Sequence, residues 1–210
     1  MGMNPTTDAT PEPLVDLVIR DVAVLDCTGA EPSGRHDVVV RDGRIDSIHR
    51  HGEGATVRDA TEVDGSGTTL MPGLTDAHVH FALIGQKGDH GDEPLIDHVL
   101  RVATYIDGAL DEGFTTVRDA GGLEPAWAKA VEKGLVRGPR ILPSGSHLSQ
   151  TGGHGDARAA HQASHSWASI PGLVARAEVV DGADEVRRAV REQLRRGATQ
   201  IKLLASAGVP

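Results

Sequence analysis

From Met71 onward, short apolar runs alternate with longer stretches of helical period, and this alternation constrains the fold more than any other feature of the sequence. The pattern predicts strands over 74–81, 115–119, 140–144 and 198–205, with helices over 94–112, 125–133 and 183–196 between them. In the first helix Leu95, Val99, Val102, Ile106 and Leu110 recur every three or four residues, which puts them on one face. Strands that alternate with helices build a parallel sheet covered by those helices, an α/β architecture. With two Phe, two Trp and one Tyr in 210 residues, the core has to come from Val, Leu, Ile and Ala, as buried parallel strands require. Sites in such sheets lie beyond the C-terminal ends of the strands.

A different rhythm precedes the alternation. Residues 14–70 read as a small β-sandwich-like domain, in which HDVVVRDGRIDSIHR folds back on itself across Asp42-Gly43, a dipeptide that tolerates positive φ. Residues 1–13 are polar and proline-bearing and read as a disordered leader. Residues 71–210 are too few for a complete (β/α)8 barrel, which takes about 250 residues. The expectation is therefore an incomplete TIM barrel of about four strands, truncated after the last of them. Its open edges and unfilled inward faces point to association into homo-oligomers.

Charge and apolar length exclude several classes. Thirty acidic against twenty-one basic residues leave no excess to neutralise phosphates, so a nucleic-acid partner is not expected. No apolar run reaches the roughly 20 residues of a membrane span. The single cysteine, Cys27, and the lack of a signal-peptide pattern at the N-terminus point to the cytoplasm.

The strongest chemical signal is Asp76-Ala77-His78-Val79-His80 at the end of the first parallel strand. Side chains at i and i+2 of a strand point to one face, so His78 and His80 can reach a single cation together. Asp76 reads as a residue that orients the strand or a ligand. In Gln150-Thr151-Gly152-Gly153-His154-Gly155-Asp156, the glycines let backbone approach a ligand closely, and His154 can donate to a substrate carbonyl or oxyanion. His147 lies in the same loop, and Asp119 ends the second strand; both are candidates to face substrate. An ion pair between Arg118 and Asp119 that fixes the strand end is an equal alternative. His36, His49, His51, His90, His98, His161 and His165 show no ligand spacing and read as surface or loop residues.

The run LMPGLTDAHVHF, preceded by VVVRDGRIDSI and followed by GFTTVRDAGG, GPRILPSGSHLSQTGGHGD and GATQIKLLASAG, resembles the amidohydrolase superfamily. Within it, the chain is similar to the imidazolonepropionase-like and prolidase-like branch over about residues 15–208. The resemblance implies two divalent metal ions, zinc or else manganese or cobalt, held by His78, His80 and Lys202, with carbon dioxide bound to Lys202 as a carbamate. Burial favours the neutral amine that such a reaction needs, and lysine, one of four here against seventeen arginines, is the basic residue that can supply it. Further ligands and the catalytic aspartate of the superfamily are expected beyond residue 210. The activity implied is metal-dependent hydrolysis of amide or peptide C–N bonds in small substrates, such as dipeptides or N-acyl amino acids. Alternatives are a cyclic-amide hydrolase of the imidazolonepropionase type and a non-catalytic half-barrel.

Overall fold

A computed structural model describes residues 15–29, 31–53, 57–83, 94–156, 158, 161 and 177–206. The expected leader lies outside the described residues, as do His90 and His165. The chain divides into two compact units, one ending at Pro72 and one beginning at Gly73. Among the described residues no helix is long and apolar enough to cross a membrane.

The first unit is one mixed sheet. Strands β1 (Leu17–Val24), β2 (Ser33–Arg41), β3 (Arg44–Arg50) and β4 (Thr61–Asp64) lie in the order β3-β2-β1-β4, and β5 (Thr69–Leu70) also pairs with β1. β2 and β3 form the expected hairpin, with Asp42 and Gly43 at φ 49° and 68° in the left-handed region. Pairing Ile19 with Val38 and Val63, and Val38 with Ile48, lines one face with aliphatic side chains. Ile45 and Ile48 on that face remain 63% and 47% exposed. A sandwich needs a second sheet there, and the described residues of this unit hold one sheet.

On the opposite face the register shifts between Ile19 and Val22, and Asp21 adopts φ 59°. The Asp21 N–H, displaced from the ladder, donates instead to the buried carboxylate of Asp37 at 3.0 Å. Asp37 also accepts from His51 Nδ1 at 2.7 Å, Arg20 at 3.2 Å and the Gly52 N–H at 3.3 Å. Burial alone would raise its pKa, but these hydrogen bonds outweigh burial and hold the carboxyl well below the usual range.

The second unit follows the strand–helix alternation. β6 (Leu74–Val79), β7 (Phe114–Asp119) and β8 (Arg140–Pro143) form a parallel sheet in that order, with α1 (Leu95–Asp111) and α2 (Ala126–Glu132) as the crossovers. Each of these helices lies within a residue of its expected limits. α1 turns His98, Val102 and Ile106 inward, and Phe81, Val117, Leu123, Trp127 and Ile141 complete that core. His98, expected at the surface, is buried because it sits one helical turn before Val102 on the same face.

A second parallel set, β9 (Leu148–Ser149), β10 (Glu178–Val179) and β11 (Leu203–Leu204), runs in the order β10-β9-β11 and packs with α3 (Gly182–Arg196). The strand expected over 198–205 contracts to β11. The Thr199 N–H bonds to Pro143 O at the end of β8, whereas Lys202 O already accepts from Leu148 at the start of β9. The segment crosses from one set of strands to the other, so it has no continuous ladder on either side.

Two outcomes test this packing. Because the folded-state pKa of Asp37 lies below the unfolded value of about 3.9, its stabilisation is complete above that pH and is lost as the pH falls through and below it. Asp37→Asn should therefore cost about 2 kcal/mol in urea unfolding at pH 7 and much less near pH 2. Ile106→Ala empties a fully buried site and should cost about 3 kcal/mol by the same measurement, independent of pH.

Candidate metal centre

β6 ends by placing two imidazoles side by side. His78 Nε2 and His80 Nε2 are 3.1 Å apart, with ring centroids 5.1 Å apart and planes inclined by 65°. A tetrahedral ion with metal–nitrogen distances of about 2.0–2.1 Å holds two ligands about 3.4 Å apart, so the pair fits a shared cation. His80 Nδ1 lies 2.8 Å from the carbonyl oxygen of Gly121, which can only accept, so the proton is on Nδ1 and the lone pair on Nε2. His78 Nε2–H is then the donor across the 3.1 Å gap, and its proton is the one a cation would displace. Lost solvation first, then the nearness of the basic groups of Lys202, His80 and Arg118, hold the His78 imidazole below its ordinary pKa, in the neutral form that ligates. The Asp76 carboxylate accepts the His78 backbone N–H at 2.9 Å and orients the strand end.

Next to the pair is a cavity of roughly 200 Å³ lined by His80, Leu83, Ala120, His147, His154, Lys202 and Leu204. The fold therefore brings together His80 from the end of β6, His147 and His154 from either side of β9, and Lys202 from the start of β11. Lys202 is half-buried, and so are Ile201 and Leu204, but Leu203 points outward and is 58% exposed, so the surroundings are less apolar than the sequence suggests. Among the described residues no third His, Cys, Asp or Glu joins His78 and His80 in a metal-holding group. Lys202, the third residue expected as a ligand, lines the cavity beside His80.

His147 is held neutral. Burial, and then the nearness of the basic groups of His80, His154 and Lys202, push its pKa down to about 4. Gly121 stands against it at φ 131°, where a Cβ would come within 2.8 Å of His147 Nδ1, so this position has no room for a side chain. His154 is exposed, and its N–H donates to Ser206 O at 3.2 Å. The glycines beside it serve the protein's own packing, where close approach to a ligand was expected. A Cβ on Gly153 would meet Ser149 Oγ at 2.6 Å, and one on Gly155 would meet Ser149 Cβ at 2.8 Å.

Asp119, a candidate to face substrate, is fully buried at the end of β7. Its oxygens accept the N–H groups of Phe81 at 3.0 Å and Gly121 at 2.9 Å, and burial raises its pKa to about 6. The alternative Arg118–Asp119 ion pair does not form either, since Arg118 Nε donates to Ala77 O at 2.7 Å.

Two glutamines escape the sequence reading. Gln193, 1% exposed, accepts the Ser146 N–H at 3.1 Å and donates to Glu178 at 3.2 Å, bracing the loop that carries His147. A signal for it exists: with Val186, Ala189 and Val190 it lies on the inward stripe of α3, where a polar side chain needs a partner. Gln200 Nε2 donates to Asp119 O at 3.1 Å and Leu142 O at 2.9 Å, tying the ends of β7 and β8 to the segment that leads to Lys202. No periodicity marks that role.

Comparison with known proteins gives this geometry a family. The chain is 40% identical over 158 residues to the ochratoxinase of Aspergillus niger, a match covering 67% of this chain and 32% of that protein. Among solved structures it is similar to a prolidase complexed with N-methylphosphonate-L-proline, at 40% identity and a TM-score of 0.79 over 93% of this chain and 48% of that one. It is also similar to a Xaa-Pro dipeptidase with methionine bound in its active site, at 27% identity and a TM-score of 0.71 over 90% and 46%. The chain thus spans a third to a half of the length of these relatives, and over that span it has their partial TIM-barrel-like α/β fold. With residues 69–209 matching its family pattern, the chain belongs to the amidohydrolase family.

Proposed function

We propose that the protein is a metal-dependent hydrolase of amide or peptide C–N bonds in small substrates, dipeptides or N-acyl amino acids, and that this chain contributes His78, His80 and Lys202 to its metal centre. The observation that carries the reading is the 3.1 Å approach of two ring nitrogens, one of them fixed as an acceptor by the bond from His80 Nδ1 to Gly121. Similarity to a prolidase and to an ochratoxinase supports the reaction class.

His80 presents an unprotonated Nε2, and His78 would present its own once the proton it shares across the 3.1 Å gap is displaced. Lys202 takes up carbon dioxide: its neutral amine nitrogen forms a bond to the carbon, releases a proton to solvent and becomes a carbamate whose oxygens are ligands. Two divalent ions, zinc or else manganese or cobalt, would when bound make hydroxide available at neutral pH and polarise the scissile carbonyl. His147, neutral and pointing into the same cavity, positions the polar end of a substrate, and His154 at the open rim donates to its carbonyl. Asp119 acts on the backbone and not on the substrate.

The metal is tested on the purified chain. Elemental analysis after dialysis against zinc should show bound metal in the unsubstituted chain and loss of most of it in His78→Ala/His80→Ala; equal metal in both would sink the ligand assignment. With ¹³C-bicarbonate, the chain should give a carbamate resonance that Lys202→Arg lacks, because guanidinium stays protonated. In the whole enzyme Lys202→Ala should abolish hydrolysis, and short carboxylic acids should partly restore it. Full activity in Lys202→Arg refutes carboxylation.

A further inference from the structure

We infer that Asp119 is a positioning residue that sets the tautomer and aim of His80, and through them the affinity of the centre for metal. The inference rests on the reading of His78 and His80 as ligands. Its basis is a closed path of hydrogen bonds at the ends of two neighbouring strands. β6 delivers His80, and the next residue, Phe81, donates its N–H to one oxygen of Asp119 at 3.0 Å. The other oxygen accepts the N–H of Gly121 at 2.9 Å, and the carbonyl of Gly121 accepts from His80 Nδ1 at 2.8 Å. A single buried carboxylate thus joins the backbone that carries the imidazole to the backbone that carries its acceptor.

The acceptor is held from its other edge as well. The peptide unit between Gly121 and Gly122 has its N–H bonded to Gly145 O at 3.2 Å, so the carbonyl that receives the His80 proton cannot rotate away without breaking that bond. Gly121 reaches φ 131° here, a conformation that Asp119 holds through the Gly121 N–H. Release of the carboxylate frees both segments. His80 then loses the reason to keep its proton on Nδ1, and Nε2 loses its standing as a lone pair facing His78. A carboxylate that merely capped the turn would affect stability and leave the imidazole unchanged.

The variant is Asp119→Asn, which keeps the shape but sets an NH₂ group against backbone N–H donors that the carboxylate accepts. Ile141→Val, in the same core and away from the path, controls for lost stability. Two readouts separate positioning from folding. Histidine ¹⁵N spectra of the metal-free chain, taken above the ordinary imidazole titration range, should show His80 with the proton on Nδ1 in the unsubstituted chain and in Ile141→Val, and a mixture of tautomers in Asp119→Asn. Zinc affinity, measured by competition with a chromophoric chelator, should fall about 10- to 100-fold in Asp119→Asn and stay unchanged in Ile141→Val. A folded Asp119→Asn with the parental tautomer and affinity overturns the inference while leaving the ligands intact. If zinc binding by the unsubstituted chain does not depend on His78 and His80, the ligand reading and this inference fall together. Should Asp119→Asn not fold, the unsubstituted chain still decides, because a His80 proton on Nε2 contradicts the path.

Discussion

The carboxylate of Asp119 closes the gap between two parallel strands at the point where their ladder ends. Parallel pairing between β6 and β7 brings Val79 beside Asp119, and the Ala120 N–H bonds to Val79 O at 2.9 Å before the two strands part. The N–H groups of Phe81 and Gly121 would be left without partners in a core that excludes water. Desolvated amides cost on the order of 1–3 kcal/mol each when unpaired. One buried acceptor with two oxygens removes both deficits, and the loops it ties down are those that carry His80 and face His147. The geometry of the centre follows from this local solution to strand termination.

The same device recurs around the cavity with side-chain amides in place of a carboxylate. Gln200 bonds two carbonyls at the ends of β7 and β8, and Gln193 receives the N–H of Ser146 from behind the loop. Each is a polar side chain that finishes a backbone network where secondary structure stops, as buried peptide groups demand. The imidazoles and the lysine are therefore held by backbone that is fixed by other residues, the preorganisation that the proposed metal centre calls for.

In the first unit Asp37 does equivalent work on a smaller scale. A bulge releases the Asp21 N–H, and the carboxylate of Asp37 takes it together with Gly52, His51 and Arg20. In both units a buried aspartate sits where the ladder is interrupted. The two differ in pKa because Asp37 adds side-chain hydrogen bonds from His51 and Arg20 to its backbone amides, while Asp119 has backbone amides and deep burial.

Much of this protein is legible in its amino-acid sequence alone. The period of Leu95, Val99, Val102, Ile106 and Leu110 locates α1, the Asp42-Gly43 pair locates the hairpin, and the i, i+2 spacing of His78 and His80 puts both imidazoles on one side of a strand, because these are local consequences of backbone geometry. Tertiary structure alone decides the rest. It buries His98, shortens the strand expected over 198–205 to Leu203–Leu204, and turns Gly153 and Gly155 toward Ser149. It also withdraws Asp119 from solvent and makes partners of Gln193 and Gln200. Each of these outcomes depends on which backbone groups lack hydrogen bonds once distant strands have met. That quantity is set by the pairing of segments up to 81 residues apart, as between Gln200 and Asp119, and no window of sequence contains it.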